Sequence, residues 1–112
     1  MSKAQFEIWS FDFPTRGGPH PVVLLTRTDK LSKAKVVNVL FCTSQRQSRT
    51  IYPYEVMLNG ADGLDWETFC DCSVIWSVES ARLFKKRGEV TVERRNAIRD
   101  KIRDVFRLSA RD

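Results

Sequence analysis

Hydrophobic and polar positions alternate over short stretches through most of the chain, which is the pattern typical of β-strands. In the first stretch, residues 6–13, Trp9, Phe11 and Phe13 fall on one face, and the other face mixes apolar and polar residues. Pro14 has no N–H to donate to a sheet, so we expect this strand to end there. The glycines and proline at 17–19 predict a turn after it.

Further strands are predicted downstream, at 21–26, 36–43, 52–58 and 68–76, with shorter pieces at 81–84 and 88–90. The strands at 21–26 and 36–43 are apolar at successive positions and therefore on both faces. A strand of this kind has to be covered on both sides. These two segments therefore predict the centre of the sheet.

The hydrophobic period changes near the end of the chain. Ile98, Ile102, Val105 and Phe106 are spaced i, i+4, i+7 and i+8, which places them on one face of an amphipathic helix. Thr91 is the expected N-cap, since a threonine side chain can accept a hydrogen bond from the first turn. We therefore predict a C-terminal helix.

Several short strands followed by one helix indicate a mainly β protein, a small antiparallel barrel with a C-terminal helix. The helix and a second subunit are expected to cover its outside. The 112 residues fit one domain, 1–112, with a modest core. No apolar run approaches the roughly 20 residues of a membrane span, and the N-terminus lacks a signal-peptide pattern. We therefore expect a cytoplasmic protein without membrane contact, and the odd number of cysteines, three, fits a reducing compartment.

The positive charge is concentrated in the last third of the chain. The net charge is +5, and residues 82–111 contain eleven Lys or Arg and four Asp or Glu, which sum to +7. The remaining eight basic and ten acidic residues sum to −2. A basic region of this kind indicates a polyanion or an acidic protein as partner. The composition fits an ordinary solvated helix face equally well.

The sequence contains no known metal motif, Walker loop or dinucleotide fingerprint. Cys42, Cys70, Cys72 and His20 could together bind zinc. Buried, reduced cysteines that act as small apolar side chains are the favoured interpretation. We therefore expect no metal and no cofactor.

Polar residues gather at the predicted strand ends, and their types suit RNA cleavage by the 2′-hydroxyl. That reaction needs a base, an acid and cationic or hydrogen-bonding groups for the phosphorane oxygens. Histidine is the best acid–base candidate because it titrates near neutral pH, and aromatic side chains can stack unpaired bases. The same residues also fit ordinary turns and loops. The residues concerned are Asp12, Phe13, Thr15, Arg16, His20, Thr43, Ser44, Gln45, Arg46, Arg49, Asp71 and Trp76.

Several short motifs, in order along nearly the whole chain, resemble those of the MazF/PemK/Kid toxins of bacterial type II toxin–antitoxin systems. Each motif is weak alone, but their order is fairly specific. The motifs are Ile8-Trp9, Asp12-Phe13-Pro14-Thr15-Arg16-Gly17, His20-Pro21-Val22-Val23-Leu24, Cys42-Thr43-Ser44-Gln45, Tyr52-Pro53-Tyr54-Glu55-Val56, Cys70-Asp71-Cys72 and Ser80-Ala81-Arg82-Leu83.

The resemblance implies a small SH3-like barrel that forms a homodimer. It also implies a metal-independent, sequence-specific endoribonuclease that cuts single-stranded RNA, such as mRNA, to a 2′,3′-cyclic phosphate and a 5′-hydroxyl. A cognate acidic antitoxin would inhibit it across the RNA groove. The family's catalytic threonine falls on Thr43, and an aspartate used in some members falls on Asp71. RNA contacts are expected from Phe13, Thr15, Ser44, Gln45, Arg46, Arg49 and Trp76.

The chain departs from this family at its catalytic arginine, whose position is occupied by His20. The first loop is also shorter than the commonest form, and Cys72 stands where a glutamine is usual. We favour His20 as the acid–base group, with Arg16 in the phosphate-binding role. The alternatives are an inactive module that binds RNA or antitoxin, and a gyrase poison like the related CcdB toxins. The C-terminal sequence Arg107–Asp112 lacks the tryptophan typical of CcdB, which counts against the last.

Overall fold

A computed structural model describes residues 2–44 and 49–108. In this part of the chain, seven antiparallel strands form a curved half-barrel, which a C-terminal helix covers on one side. The strands are β1 (Glu7–Phe13), β2 (Gly18–Leu24), β3 (Val36–Ser44), β4 (Glu55–Leu58), β5 (Thr68–Asp71), β6 (Trp76–Glu79) and β7 (Phe84–Glu89), and the helices are α1 (Thr28–Leu31) and α2 (Val92–Val105). The predicted mainly β fold with a C-terminal helix is confirmed.

β3 is the strand around which the sheet is arranged. The strands follow the order β4-β5-β3-β2-β1-β7, and β6 also pairs with β3. The first half of β3 pairs with β6 at Val36–Val39, and its last residues pair with β5 at Cys42–Ser44. Because β3 changes partner along its length, the sheet curves at this strand.

Two hydrophobic clusters in the described residues cover opposite faces of the sheet. The cluster that includes Ile98 of α2 is here called the helix-side core, and the other is called the aromatic core. The helix-side core contains Ile8, Val23, Leu40, Cys42, Val56, Leu58, Leu64, Cys70, Cys72, Val90 and Ile98. The aromatic core contains Trp9, Phe11, Phe13, Val22, Leu24, Leu31, Val37, Val39, Phe41, Val78 and Leu83. As predicted, Trp9, Phe11 and Phe13 share one face, and β2 and β3 are buried on both faces at 21–24 and 39–42. The first half of β3 differs from the prediction, because Val36 and Asn38 are exposed there.

Four predicted segments differ from the structure. The predicted strand 68–76 is two strands, because the Asp71 carboxylate accepts hydrogen bonds from the N–H and hydroxyl of Ser73 and turns the chain. The pieces 81–84 and 88–90 are one strand, β7. β2 begins at Gly18, because the turn lies at 14–17 and not at 17–19 as predicted, and Gly17 and Gly18 have positive φ values of 77° and 111° where the chain enters the strand. β4 begins only at Glu55, whose N–H donates to the carbonyl of Tyr52 in a turn.

A buried carboxylate fixes α2 on the rest of the fold. Asp62 is 1% exposed and accepts hydrogen bonds from the N–H groups of Asn59 and Thr91, each at 2.9 Å. It also accepts one from the Arg94 guanidinium at 2.8 Å. Thr91 is the N-cap, as predicted, because its side chain accepts from the N–H of Arg94 at 3.4 Å. None of the described helices is long and apolar enough to cross a bilayer.

We expect Gly88→Ala to destabilise the fold by about 1–3 kcal/mol, the usual cost of overpacking. A Cβ at position 88 would overlap the carbonyl oxygen of Asp62, which belongs to rigid backbone. Gly60→Ala is the matched control, because a Cβ there meets no atom within 4 Å. Urea denaturation of both variants measures the difference, and equal stabilities would contradict the close packing of β7 on this turn.

Candidate functional site

The sheet register brings His20 and Thr43 together. β2 pairs with β3 through Val22 opposite Phe41 and Val23 opposite Leu40. Continuing this register by two residues from Val22 places His20 opposite Thr43. Residues two apart on a strand point to the same face, so both lie on the face of the aromatic core.

The third candidate, Asp71, lies on the same face one strand further along. Thr43 pairs with Phe69 of β5, and Asp71 follows Phe69 by two residues. The Oδ1 atom of Asp71 accepts from the N–H of Ser73 at 2.8 Å and from its hydroxyl at 2.5 Å. The structure therefore orients the Asp71 carboxylate and brings it to the face that carries His20 and Thr43.

The loop between β1 and β2 determines which nitrogen of His20 carries the hydrogen. Nε2 of His20 lies 2.7 Å from the carbonyl oxygen of Arg16. A carbonyl oxygen can only accept, so Nε2 is the donor, and in the neutral ring Nδ1 is the proton acceptor. The ring packs against Phe41, with centroids 4.8 Å apart, and more distantly against Phe13 at 6.4 Å.

The side chain of Arg16 lies over the same aromatic surface. Its Cζ atom is 5.0 Å from the centre of the Phe41 ring and 5.6 Å from the centre of the Trp76 ring. A guanidinium over an aromatic face is held by electrostatic attraction to the ring. No ion pair among residues 2–44 and 49–108 includes Arg16. An exposed cation that pairs with no described acidic residue thus contacts the same Phe41 ring as the His20 imidazole.

The aromatic rings differ in how much of each they expose. Phe13 is only 6% exposed and packs edge-on against Phe41 at 4.9 Å and Trp76 at 5.5 Å. Trp76 is half-buried, so it offers more surface to a ligand than Phe13 does. Thr15 is exposed in the loop after β1.

Other predicted RNA contacts lie near the end of β3. Thr43 is exposed and Ser44 is half-buried at the end of that strand. Gln45 and Arg46 lie outside the described residues.

Arg49 is engaged in an ion pair that the sequence did not indicate. Its guanidinium donates to both carboxylate oxygens of Glu55, at 2.9 and 2.8 Å. It also lies over the rings of Phe69 at 4.2 Å and Tyr52 at 4.4 Å. Glu55 therefore neutralises Arg49 beside the site, and an RNA contact from Arg49 remains a prediction. Glu55 belongs to one of the motifs noted in the sequence. Its partner Arg49 is six residues away in a non-helical segment, so no sequence spacing predicts the pair.

The structure separates the four residues considered as zinc ligands. Cys42, Cys70 and Cys72 are buried in the helix-side core. His20 packs against the aromatic core, on the other face of the sheet. The zinc alternative for this set is therefore wrong, and no group of three or more possible ligands occurs elsewhere in the described residues. The hydrogen bond with the Cys70 thiol, followed by burial, raises the pKa of Cys72, which keeps it protonated.

The ion pair of Glu55 predicts a stability that depends on pH. Burial alone would raise the pKa of Glu55, but hydrogen bonds from Arg49 and from the N–H of Tyr52 hold it below its ordinary value of 4.5. A carboxylate with a lowered folded pKa stabilises the fold above its unfolded pKa, and this is lost as the pH falls through the folded value.

We expect Glu55→Gln to reduce the free energy of unfolding at pH 7 by about 1.5–3 kcal/mol, the typical loss for a charge-assisted hydrogen bond. The variant should also lose less stability than the unmodified protein as the pH falls below 4.5. Urea denaturation across this pH range measures both effects. Glu79→Gln is the control, because Glu79 is exposed and forms none of the ion pairs of the described residues. An acid sensitivity unchanged by Glu55→Gln would contradict the assignment.

Comparison with solved structures identifies several chains with the same fold. An endoribonuclease in complex with its cognate antitoxin, from a mycobacterial species, has a TM-score of 0.79 at 18% identity, covering 96% of this chain and 97% of that one. Mycobacterium tuberculosis toxin MazF-mt6 has a TM-score of 0.77 at 19% identity, covering 92% and 98%. A MazE–MazF structure from Deinococcus radiodurans has a TM-score of 0.74 at 18% identity, covering 97% and 99%.

At these identities the structures establish the fold alone, and no curated protein sequence matches the chain significantly. The sequence model of one family, described as the PemK-like, MazF-like toxins of type II toxin–antitoxin systems, matches residues 4–106. This match covers β1 to α2, including every described candidate residue of the site. The chain therefore belongs to the PemK/MazF toxin family.

Proposed function

We propose that this protein is the toxin of a type II toxin–antitoxin pair and cleaves single-stranded RNA, including mRNA, without a metal ion or cofactor. The cut would be sequence-specific and would leave a 2′,3′-cyclic phosphate and a 5′-hydroxyl. The observation that carries the proposal is the arrangement around Phe41. An imidazole whose Nδ1 can accept a proton and a guanidinium that forms no ion pair with a described residue both contact this ring. The β2–β3 register, continued by two residues beyond Val22 and Phe41, supports a position of Thr43 opposite the imidazole.

Each site residue has a role in this reaction. Nδ1 of His20 takes the proton of the 2′-hydroxyl, whose oxygen attacks the phosphorus. The P–O5′ bond breaks, the departing 5′ oxygen takes a proton from solvent water, and His20 returns its proton to solvent. Arg16 stabilises the charge on the phosphorane oxygens. Thr43 donates its hydroxyl hydrogen to the phosphate, and Asp71, oriented by Ser73, accepts a hydrogen bond from the nucleotide.

The remaining predicted contacts bind the RNA around the scissile bond. Trp76 is the stacking surface for a base, supported from behind by Phe13. Thr15 and Ser44 supply hydrogen bonds, and Gln45, Arg46 and Arg49 complete the predicted set. The net charge of +5 favours a polyanion as substrate.

The partners follow from the family. Relatives of this fold include an endoribonuclease bound to its cognate antitoxin and a MazE–MazF structure. We infer that this chain forms a homodimer, is inhibited by an acidic antitoxin and acts in the cytoplasm.

Purified protein should cut single-stranded RNA in the presence of EDTA. His20→Ala removes the base and should slow cleavage about a hundredfold to ten-thousandfold. Arg16→Gln removes the charge that stabilises the phosphorane and should slow it about a hundredfold. Thr43→Val should also lose activity. Sequencing of the cut ends reports the bond broken and the terminal groups.

Arg99→Gln is the matched control for these variants, because Arg99 is an exposed arginine on α2. Ile98 packs α2 into the helix-side core, on the face of the sheet opposite the aromatic core. It should cleave like the unmodified protein. If the purified protein leaves RNA intact in the presence of EDTA, the proposed metal-independent ribonuclease activity is wrong. Binding without cleavage would point to an RNA-binding module, and inhibition of gyrase supercoiling would point to a CcdB-like poison.

Sedimentation equilibrium should give twice the mass of the 13.0 kDa chain. The fraction of protein present as a dimer depends on the protein concentration, so dilution should eventually release the monomer. A mass of 13.0 kDa at every concentration would contradict the dimer.

A further inference from the structure

A row of positive charges continues from the site along the aromatic face of β1. Arg82 Cζ lies 4.9 Å from the centre of the Phe11 ring. Lys3 Nζ lies 5.0 Å from the centre of the Trp9 ring. Together with Arg16, at the other end of the strand, these residues are here called the cation row.

The cation row follows the repeat of the strand beneath it. Trp9, Phe11 and Phe13 are alternate residues of β1, so their Cα atoms recur about every 6.6–6.8 Å along the strand. The rings of Phe11 and Phe13 lean together, with centroids 4.7 Å apart. Arg16 lies over Phe41 and Trp76, which both contact Phe13. One cation therefore lies over Trp9, a second over Phe11, and the third over the two rings that contact Phe13, in the order of these residues along β1.

The charges of the cation row are not neutralised within the described part of the chain. Its ion pairs involve Arg27, Arg49, Lys86, Arg94 and Arg107, and none includes Lys3, Arg16 or Arg82.

Glu7, the acidic residue on the same face of β1, already has partners within the protein. Its carboxylate accepts from the Trp9 indole N–H at 3.0 Å and pairs with Lys86 at 3.1 Å. Burial alone would raise the pKa of Glu7, but hydrogen bonds from Ala4, Trp9 and Lys86 lower it. This carboxylate is therefore ionised and paired at neutral pH, and it leaves the cation row available to an outside anion.

We propose that the cation row binds successive phosphates of the RNA on one side of the scissile bond, from Arg16 through Arg82 to Lys3. Contact between each cation and a ring face limits the positions that its side chain adopts, which reduces the entropy lost on binding. The row ends at the arginine to which we assign the reacting phosphate, and this continuity favours RNA over an acidic peptide. The inference rests on the proposed ribonuclease function and extends it to flanking nucleotides.

The experiment measures binding of a 2′-O-methyl oligouridylate by fluorescence anisotropy over a range of salt concentrations. The probe carries RNA phosphates but cannot be cut, because its 2′ oxygen is blocked. Arg82→Gln and Lys3→Gln should each weaken binding several-fold. Each should also reduce the slope of log K against log salt by about 0.7, the value for one phosphate contact on a single strand. Arg82→Lys keeps the charge and should keep the slope.

Arg99→Gln again serves as the control, since it removes the same charge from the opposite side of the fold. If the unmodified protein cuts RNA but the Arg82→Gln and Arg99→Gln variants bind the probe equally well, the proposed role of the cation row is wrong and the ribonuclease function still stands. An unmodified protein that neither cuts RNA nor binds the probe would overturn both. If Arg82→Gln loses binding of polyglutamate but keeps binding of the RNA probe, the cation row binds an acidic peptide instead of RNA.

Discussion

The pairing of β3 with three other strands is the constraint on which the rest of the structure depends. Its residues pair with β6, then β2, then β5 as the strand proceeds. The middle of β3, residues 39–42, is buried on both faces, so both faces must be apolar there. Val39 and Phe41 accordingly enter the aromatic core, and Leu40 and Cys42 enter the helix-side core. Thr43 is the first polar residue after this buried run, and it is exposed.

The aromatic core then determines where positive charge is placed. Arginine and lysine side chains cover the rings at its margin, where their apolar stems and cationic heads both find favourable contacts. Whether such a cation remains available depends on a neighbouring acid. Arg49 has Glu55 and is neutralised, whereas Arg16 and Arg82 have rings beneath them and no acidic partner among the described residues. Arginines with similar stacking contacts thus differ in whether an acidic side chain neutralises them.

The replacement of the family's arginine by His20 is consistent with this distribution of charge. The carbonyl of Arg16 fixes the imidazole through Nε2, while the guanidinium of the same residue lies over the Phe41 ring that the imidazole also contacts. A single loop residue therefore supports both a proton acceptor and a positive charge, two functions that one arginine at position 20 would combine less readily, since it cannot lose its proton.

Local patterns in the sequence by themselves determined the fold class, the two faces of β1, the C-terminal helix with its Thr91 cap, and the motifs that indicate the family. These features depend on backbone period and on contacts within a few residues, which a linear sequence displays directly. The division of 68–76 into two strands, the pairing of Arg49 with Glu55 and the separation of His20 from the cysteines were decided only by the tertiary structure. The cation row from Lys3 to Arg16 was also decided only by the tertiary structure, because strand register and side-chain packing bring together residues that are distant in the chain.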